Sequence, residues 1–311
     1  MKTNISLILI LCLLLGACKN GNASSQSKSE TPQDTIKAIK MPAIPQMMTA
    51  PEQRADFLAK HYWDNVNFAD TNYIHHPEVT EQAWGDYCDL LNHVPLETAQ
   101  QAMRNVIDRT NVDKKVFTYI TDLADKYLYD PNSPMRNEEF YIPVLEAMIA
   151  SPVLNETEKI RPQARLKLAQ KNRIGTKALN FTYTLASGAQ GSLYQLKAEY
   201  LLLFINNPGC QACTETIEGL KNAPIINQLL QEKKLVLLSI YPDEELDEWK
   251  KHLSEFPNEW INGYDKKFTI KEEQVYDLKA IPTLYLLDKD KTVLLKDATA
   301  PAIEAYLMQH Q

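Results

Sequence analysis

Tyr200-Leu201-Leu202-Leu203-Phe204-Ile205-Asn206-Asn207-Pro208-Gly209-Cys210-Gln211-Ala212-Cys213 sets six apolar residues before a polar turn and a Cys-x-x-Cys pair that opens an amphipathic stretch. The pattern predicts a buried strand, a turn, and a helix beginning at the first cysteine. A helix N-terminus carries unpaired N–H groups and the positive end of the macrodipole, which favours a thiolate, and the thiolate is the species that attacks a disulfide. The second cysteine lies one turn further in, where its sulfur can reach back to the first. The spacing therefore points to thiol-disulfide exchange, with Cys210 as the exposed nucleophile and Cys213 as the more buried resolving thiol.

Other uses of a cysteine pair fit less well. A structural zinc site takes four ligands, yet only His252 and His310 follow the pair and neither has a partner at ligand spacing, so no metal is expected. A static disulfide closing so short a loop gains little chain entropy. It stays open as an alternative, because a chain exported to an oxidising compartment can keep such a bridge.

About seventy residues later, Ala280-Ile281-Pro282-Thr283 leads into the apolar run Leu284 to Asp288, where proline is best placed at the start of a strand. A Cys-x-x-Cys after one buried strand and an Ile-Pro-Thr before another resemble the thioredoxin-like family, over roughly residues 173–311. Gly175-Thr176-Lys177-Ala178-Leu179-Asn180-Phe181 is similar to the opening segment of its extracytoplasmic oxidoreductase branch. The resemblance implies an α/β domain with a central mixed sheet flanked by helices. It makes Cys210 the nucleophile, Cys213 the resolving cysteine and Pro282 a cis-proline facing them. Ile281, Thr283, Pro208 and Gly209 are then the substrate-contacting neighbours. It calls for no cofactor. Two departures stand out: Gln211-Ala212 replaces the usual Gly-Pro between the cysteines, and the apolar strand lacks the family's buried carboxylate. Glu215 and Glu218 are the acids nearest in sequence to stand in for it as proton acceptor.

Around this centre, Ser187 to Gly191 reads as a hairpin turn, Lys234 to Tyr241 as a parallel strand, and Glu244 to Phe256 as a helix. Lys271 to Leu278 reads as a short helix and Thr292 to Lys296 as an edge strand before a terminal helix.

At the other end, Lys2 precedes the eleven-residue apolar run Ile5 to Leu15, too short to span a bilayer but suited to a signal peptide. Leu15-Gly16-Ala17-Cys18 resembles the bacterial lipobox, which implies cleavage after residue 17 and lipidation of Cys18. Lys19 next to the anchor is similar to lipoproteins sent to the outer membrane of Gram-negative cells, so the expected location is the cell envelope, on its periplasmic or surface face. Residues 18–50 are polar with no apolar period and read as anchor plus flexible tether, with a span of roughly 30 Å.

Residues 51–172 read as an all-α bundle of five or six helices. Phe57-Leu58-His61-Tyr62-Val66, Trp84-Tyr87-Cys88-Leu91 and Phe140-Val144-Leu145-Met148 recur at helical spacing, with breaks at Asp130 to Pro134 and Ser151-Pro152. The stretch Ala55 to Asp64 resembles a helical domain of unknown function that precedes thioredoxin-like modules. Cys88, Tyr62, Trp63 and Trp84 read as core, and His61, His75, His76 and His93 lack ligand spacing.

The 311 residues are 44% apolar and 23% charged, ordinary for a globular chain of two domains. Loss of Met1 to Ala17 takes away one base and no acid, moving the net charge from −7 to −8. A mildly acidic chain disfavours nucleic acid as a partner. The expected function is a lipid-anchored thiol-disulfide oxidoreductase acting on protein or small-molecule disulfides, with a separate redox donor or acceptor. The alternative is a non-catalytic binding scaffold with a structural Cys210–Cys213 bridge.

Overall fold

The computed structural model describes residues 38–310. Six α-helices come first: α1 (Pro51–His61), α2 (Pro77–Leu91), α3 (Leu96–Arg109), α4 (Lys114–Ala124), α5 (Glu138–Ala150) and α6 (Glu156–Ala169). Their starts follow from capping chemistry. Asp113 accepts from the Lys115 and Val116 N–H groups ahead of α4, Asn137 accepts from Phe140 ahead of α5, and Asn155 with Glu158 forms a capping box on α6. Trp84, Tyr87, Met103, Ile107, Phe117 and Leu145 fill one core. Trp63 packs against Trp84 inside it, and burial pushes the Cys88 thiol up.

The segment expected to be a tether differs at its end. Ile39 packs against the helical core and the Lys40 carbonyl accepts a hydrogen bond from Asn65, so the described part of that stretch lies along the helices. The apolar residues near the end of the segment, Ile39 among them, give it something to bury.

The second half is α/β. A hairpin of β1 (Thr182–Leu185) and β2 (Gln190–Ser192) leads to β3 (Tyr200–Ile205), α7 (Gln211–Lys221), α8 (Pro224–Gln231) and β4 (Leu235–Tyr241). Next come α9 (Leu246–Lys251), β5 (Ile261–Tyr264), α10 (Thr269–Glu272), β6 (Thr283–Asp288), β7 (Val293–Lys296) and α11 (Ala300–Gln309). The strands form one mixed sheet in the order β2-β1-β5-β4-β3-β6-β7, with β3, β4 and β5 parallel. Every residue of β3 is buried because both faces are covered. Leu202 and Phe204 meet α7, α8 and α11, whereas Leu201, Leu203 and Ile205 meet Phe181, Ile270 and Tyr276. Among the described residues no helix is long and apolar enough to cross a membrane.

Two helices are shorter than their sequence predicts. The stretch from Glu244 to Phe256 holds α9 and then a separate 3-10 turn at Leu253–Glu255, stopping before Pro257. In place of a helix over Lys271 to Leu278, α10 ends at Glu272, and Gln274 adopts φ 51°. The carbonyls beyond it go to tertiary partners: Lys171 donates to Gln274 at 2.6 Å and Asn172 to Val275 at 2.7 Å.

The two halves meet through buried charge. Lys279, 8% exposed at its side chain, has Asp297 at 3.2 Å, Glu138 at 3.3 Å and Asp277 at 3.4 Å. Burial alone would lower the Lys279 pKa, but Asp297, Glu138 and Asp277 outweigh it, and the ammonium is held above the usual lysine range. Lys296 pairs with the same Glu138, and Arg173 with Glu139. Lys279→Gln leaves three carboxylates without their shared cation. We expect it to lower the unfolding free energy by about 3 kcal/mol in urea titration; an unchanged midpoint would mean the cluster is hydrated in solution.

Candidate active site

Sheet register brings the two motifs together. Ile205, the last residue of β3, lies opposite Thr283, the first of β6, and beside Ile240 of β4. The turn after β3 and the loop before β6 must therefore leave the sheet at the same end of these strands. Cys210 Sγ lies 3.9 Å from the Ile281 carbonyl oxygen, and Ile281–Pro282 is cis. Thr283 is buried and its hydroxyl donates to the Ala280 carbonyl at 2.5 Å, closing the loop behind the proline.

Pro208 and Gly209 form the turn between strand and helix. Gly209 has φ 71°, a conformation that costs glycine little and would strain most other residues. Cys210 is the N-cap of α7: its carbonyl accepts from the Thr214 N–H at 3.0 Å, and its side chain makes no capping bond. The sulfur is thus half-exposed at the helix start while the backbone begins the helix. Cys213, one turn on, is 2% exposed. Burial pushes its thiol up to about 12; the Asn207 N–H works against this and the Cys210 thiol adds to it. Both sulfurs are free thiols. The pair is asymmetric, with one accessible sulfur and one that stays protonated at neutral pH.

Glu215 and Glu218 do not supply the missing buried carboxylate. Both are exposed on α7, where Gln211 donates to Glu215 at 2.9 Å and Lys221 pairs with Glu218 at 2.9 Å. The buried polar side chain nearest the pair in sequence is the amide of Asn206, whose Nδ2 donates to Ser239 Oγ of β4 at 2.8 Å. The histidines of the helical half stand in separate local pairs, His61 with Asp64 at 2.7 Å and His76 with Glu78 at 3.0 Å.

A groove of about 640 Å³ runs beside the cis-proline. Its lining includes Ala212 and Glu215 of α7, Ile281 and Pro282, and, from the helical half, Pro131 and Arg136. Sequence reading missed these last two, since a loop residue contacting a segment about 150 positions away leaves no periodic trace.

The fold and this cysteine pair define a thioredoxin-like domain, and comparison with known proteins agrees. The model of a thioredoxin-like family matches residues 198–293, and that of a domain of unknown function (DUF5106) matches residues 17–172. A thioredoxin-like protein from Bacteroides caccae, solved by crystallography, is 84% identical, covering 89% of this chain and 100% of that one with a TM-score of 0.87. The chain belongs to the thioredoxin-like proteins that carry an N-terminal DUF5106 domain. The C-terminal domain of an uncharacterized protein from Bacteroides fragilis is 69% identical over 44% of this chain and 98% of that one, TM-score 0.44. The thioredoxin domain of a thiol-disulfide oxidoreductase from Bacteroides vulgatus is 19% identical over 44% of this chain and 97% of that one, TM-score 0.40. No curated protein matches.

The asymmetry of the pair has a direct readout. In reduced protein at pH 8, iodoacetamide should label Cys210 well before Cys213. In Cys210→Ser protein, where burial still acts on Cys213, its labelling rate should keep climbing as the pH approaches about 12. Equal labelling at pH 8 would contradict the burial argument.

Proposed function

We propose that the chain is a thiol-disulfide oxidoreductase held to a bacterial envelope membrane by lipid on Cys18. The observation that carries the reading is the accessible Cys210 sulfur at the start of α7, 3.9 Å from the Ile281 carbonyl, with a buried second thiol one turn behind it.

In the reducing direction, the Cys210 thiolate attacks one sulfur of the substrate disulfide. A mixed disulfide forms, and the other substrate sulfur leaves as a thiolate that takes a proton from solvent. Cys213 then loses its proton and attacks Cys210 Sγ. The Cys210–Cys213 bond forms, the mixed disulfide breaks, and the second substrate thiol departs. Two electrons have passed from the pair to the substrate, and an external dithiol donor must restore them. Run backwards, the same steps oxidise a dithiol. The dithiol stays open until a mixed disulfide supplies the oxidising equivalent, and burial, which raises the Cys213 pKa, means that this thiol must lose its proton before it can resolve that intermediate.

Cys210→Ser should cut exchange with a peptide disulfide about a hundredfold or more, since the other two cysteines among the described residues, Cys88 and Cys213, are buried. Cys213→Ser should instead accumulate a mixed disulfide through Cys210, visible by mass spectrometry. Parent-like turnover by both variants would reject the enzymatic reading in favour of a scaffold with an idle pair.

The location rests on Leu15 to Cys18, which lie outside the described residues. Cys18→Ala should abolish palmitate incorporation in a Gram-negative host. Equal labelling of parent and variant would remove the anchor.

A further inference from the structure

We propose that Arg136, contributed by the helical half, is a specificity-determining residue of the redox site and selects peptide disulfides whose cysteine is flanked by a carboxylate-bearing residue. This rests on the exchange reading above and adds the substrate class.

The groove beside the cis-proline has unlike walls. On one side is Glu215, an exposed carboxylate held only by Gln211 among the described residues. On the other is Arg136, half-buried, which donates from Nη2 to the Asp297 carbonyl. That bond fixes the guanidinium against the groove and leaves other N–H donors of the fork free.

The neighbouring cations at this junction already have carboxylates. Lys279 has Asp297, Glu138 and Asp277, Lys296 has Glu138, and Arg173 has Glu139. Among the described residues no carboxylate lies within ion-pair distance of Arg136. The side chain of Asp297, whose carbonyl it touches, is committed to Lys279. A positioned, partly desolvated guanidinium facing a substrate groove matches a carboxylate, which it can grip with two parallel hydrogen bonds.

The floor favours a peptide. Among the described residues the Ile281 N–H, in the loop just ahead of β6, meets no backbone partner, so an extended segment can pair with it there. A chain laid along the floor would point flanking side chains towards the two walls. The Glu215 side would repel acid and the Arg136 side would hold it.

The test compares three peptide disulfides of one sequence carrying Asp, Asn or Lys at the positions flanking the cysteine, with glutathione disulfide as a fourth substrate. For the full chain, kcat/KM should favour Asp over Lys by about tenfold, the scale of a charge-assisted hydrogen bond. Arg136→Gln should flatten that ratio, Arg136→Glu should invert it, and Arg136→Lys should retain part of it. Equal rates for all three peptides, or a ratio unmoved by Arg136→Gln, would overturn the proposal. A loss in Arg136→Gln confined to glutathione disulfide would overturn the peptide assignment. Binding of the same peptides with serine in place of cysteine, measured by titration calorimetry, separates this inference from the exchange reading. A charge preference that depends on Arg136 without any turnover upholds the selectivity and rejects the enzyme, whereas turnover with no preference does the reverse.

Discussion

One buried ammonium joins the halves of this molecule. Lys279 stands two residues before Ile281 and draws Glu138 from the helical half together with Asp277 and Asp297 from the α/β half. A lysine with its side chain only 8% exposed is tolerable only when paired, and here the pairing comes from three separate segments. The cis-proline loop is thereby tied to the start of α5, and a shift between them would leave a largely buried charge without its partner. Whatever places the loop also places the Ile281 carbonyl against Cys210.

The cysteine pair depends on a different constraint, the register of β3 against β6. Ile205 opposite Thr283 sends two loops out of the sheet side by side, and the apolar faces of β3 hold that register. A one-residue slip would exchange Leu202 and Phe204 with Leu201 and Leu203 between two different cores, so the alignment is specified by packing on both faces. The chemistry therefore sits where the most over-determined part of the fold ends. Burial then separates the two sulfurs, giving the first access and the second a raised pKa, without any charged residue having to be placed beside them.

Much of this was legible before any coordinates. Six apolar residues followed by Pro208-Gly209-Cys210 announce a strand, a turn and a helix start through local rules alone, and Ala280-Ile281-Pro282-Thr283 reads as the mouth of a second strand. The helices were legible for the same reason, because Trp84-Tyr87-Cys88-Leu91 repeats at their period. What escaped was set by tertiary bonds. Strand β5, Ile261-Asn262-Gly263-Tyr264, carries little β-propensity of its own and exists because β4 and β1 bracket it. The predicted helix over Lys271 to Leu278 is cut short where Lys171 and Asn172 take the carbonyls of Gln274 and Val275. Lys279 reaching Glu138 across 141 positions has no signature in any window of sequence.

The second lysine of the junction shows how the helical half is fixed against the loops beside the cysteine pair. Lys296, on β7, pairs with Glu138 at the start of α5 and donates to the Lys171 carbonyl at 2.7 Å and the Ala169 carbonyl at 3.4 Å, just past the end of α6. A helix C-terminus presents unpaired carbonyls and partial negative charge, so the ammonium satisfies α6 and α5 together. One side chain of the sheet edge thus fixes the end of one helix and the beginning of another. The loop between α4 and α5, which carries Pro131 and Arg136, inherits its position from that beginning. The groove beside the cis-proline is therefore lined in part by a loop whose place is set through Lys296, a residue of the sheet's edge strand.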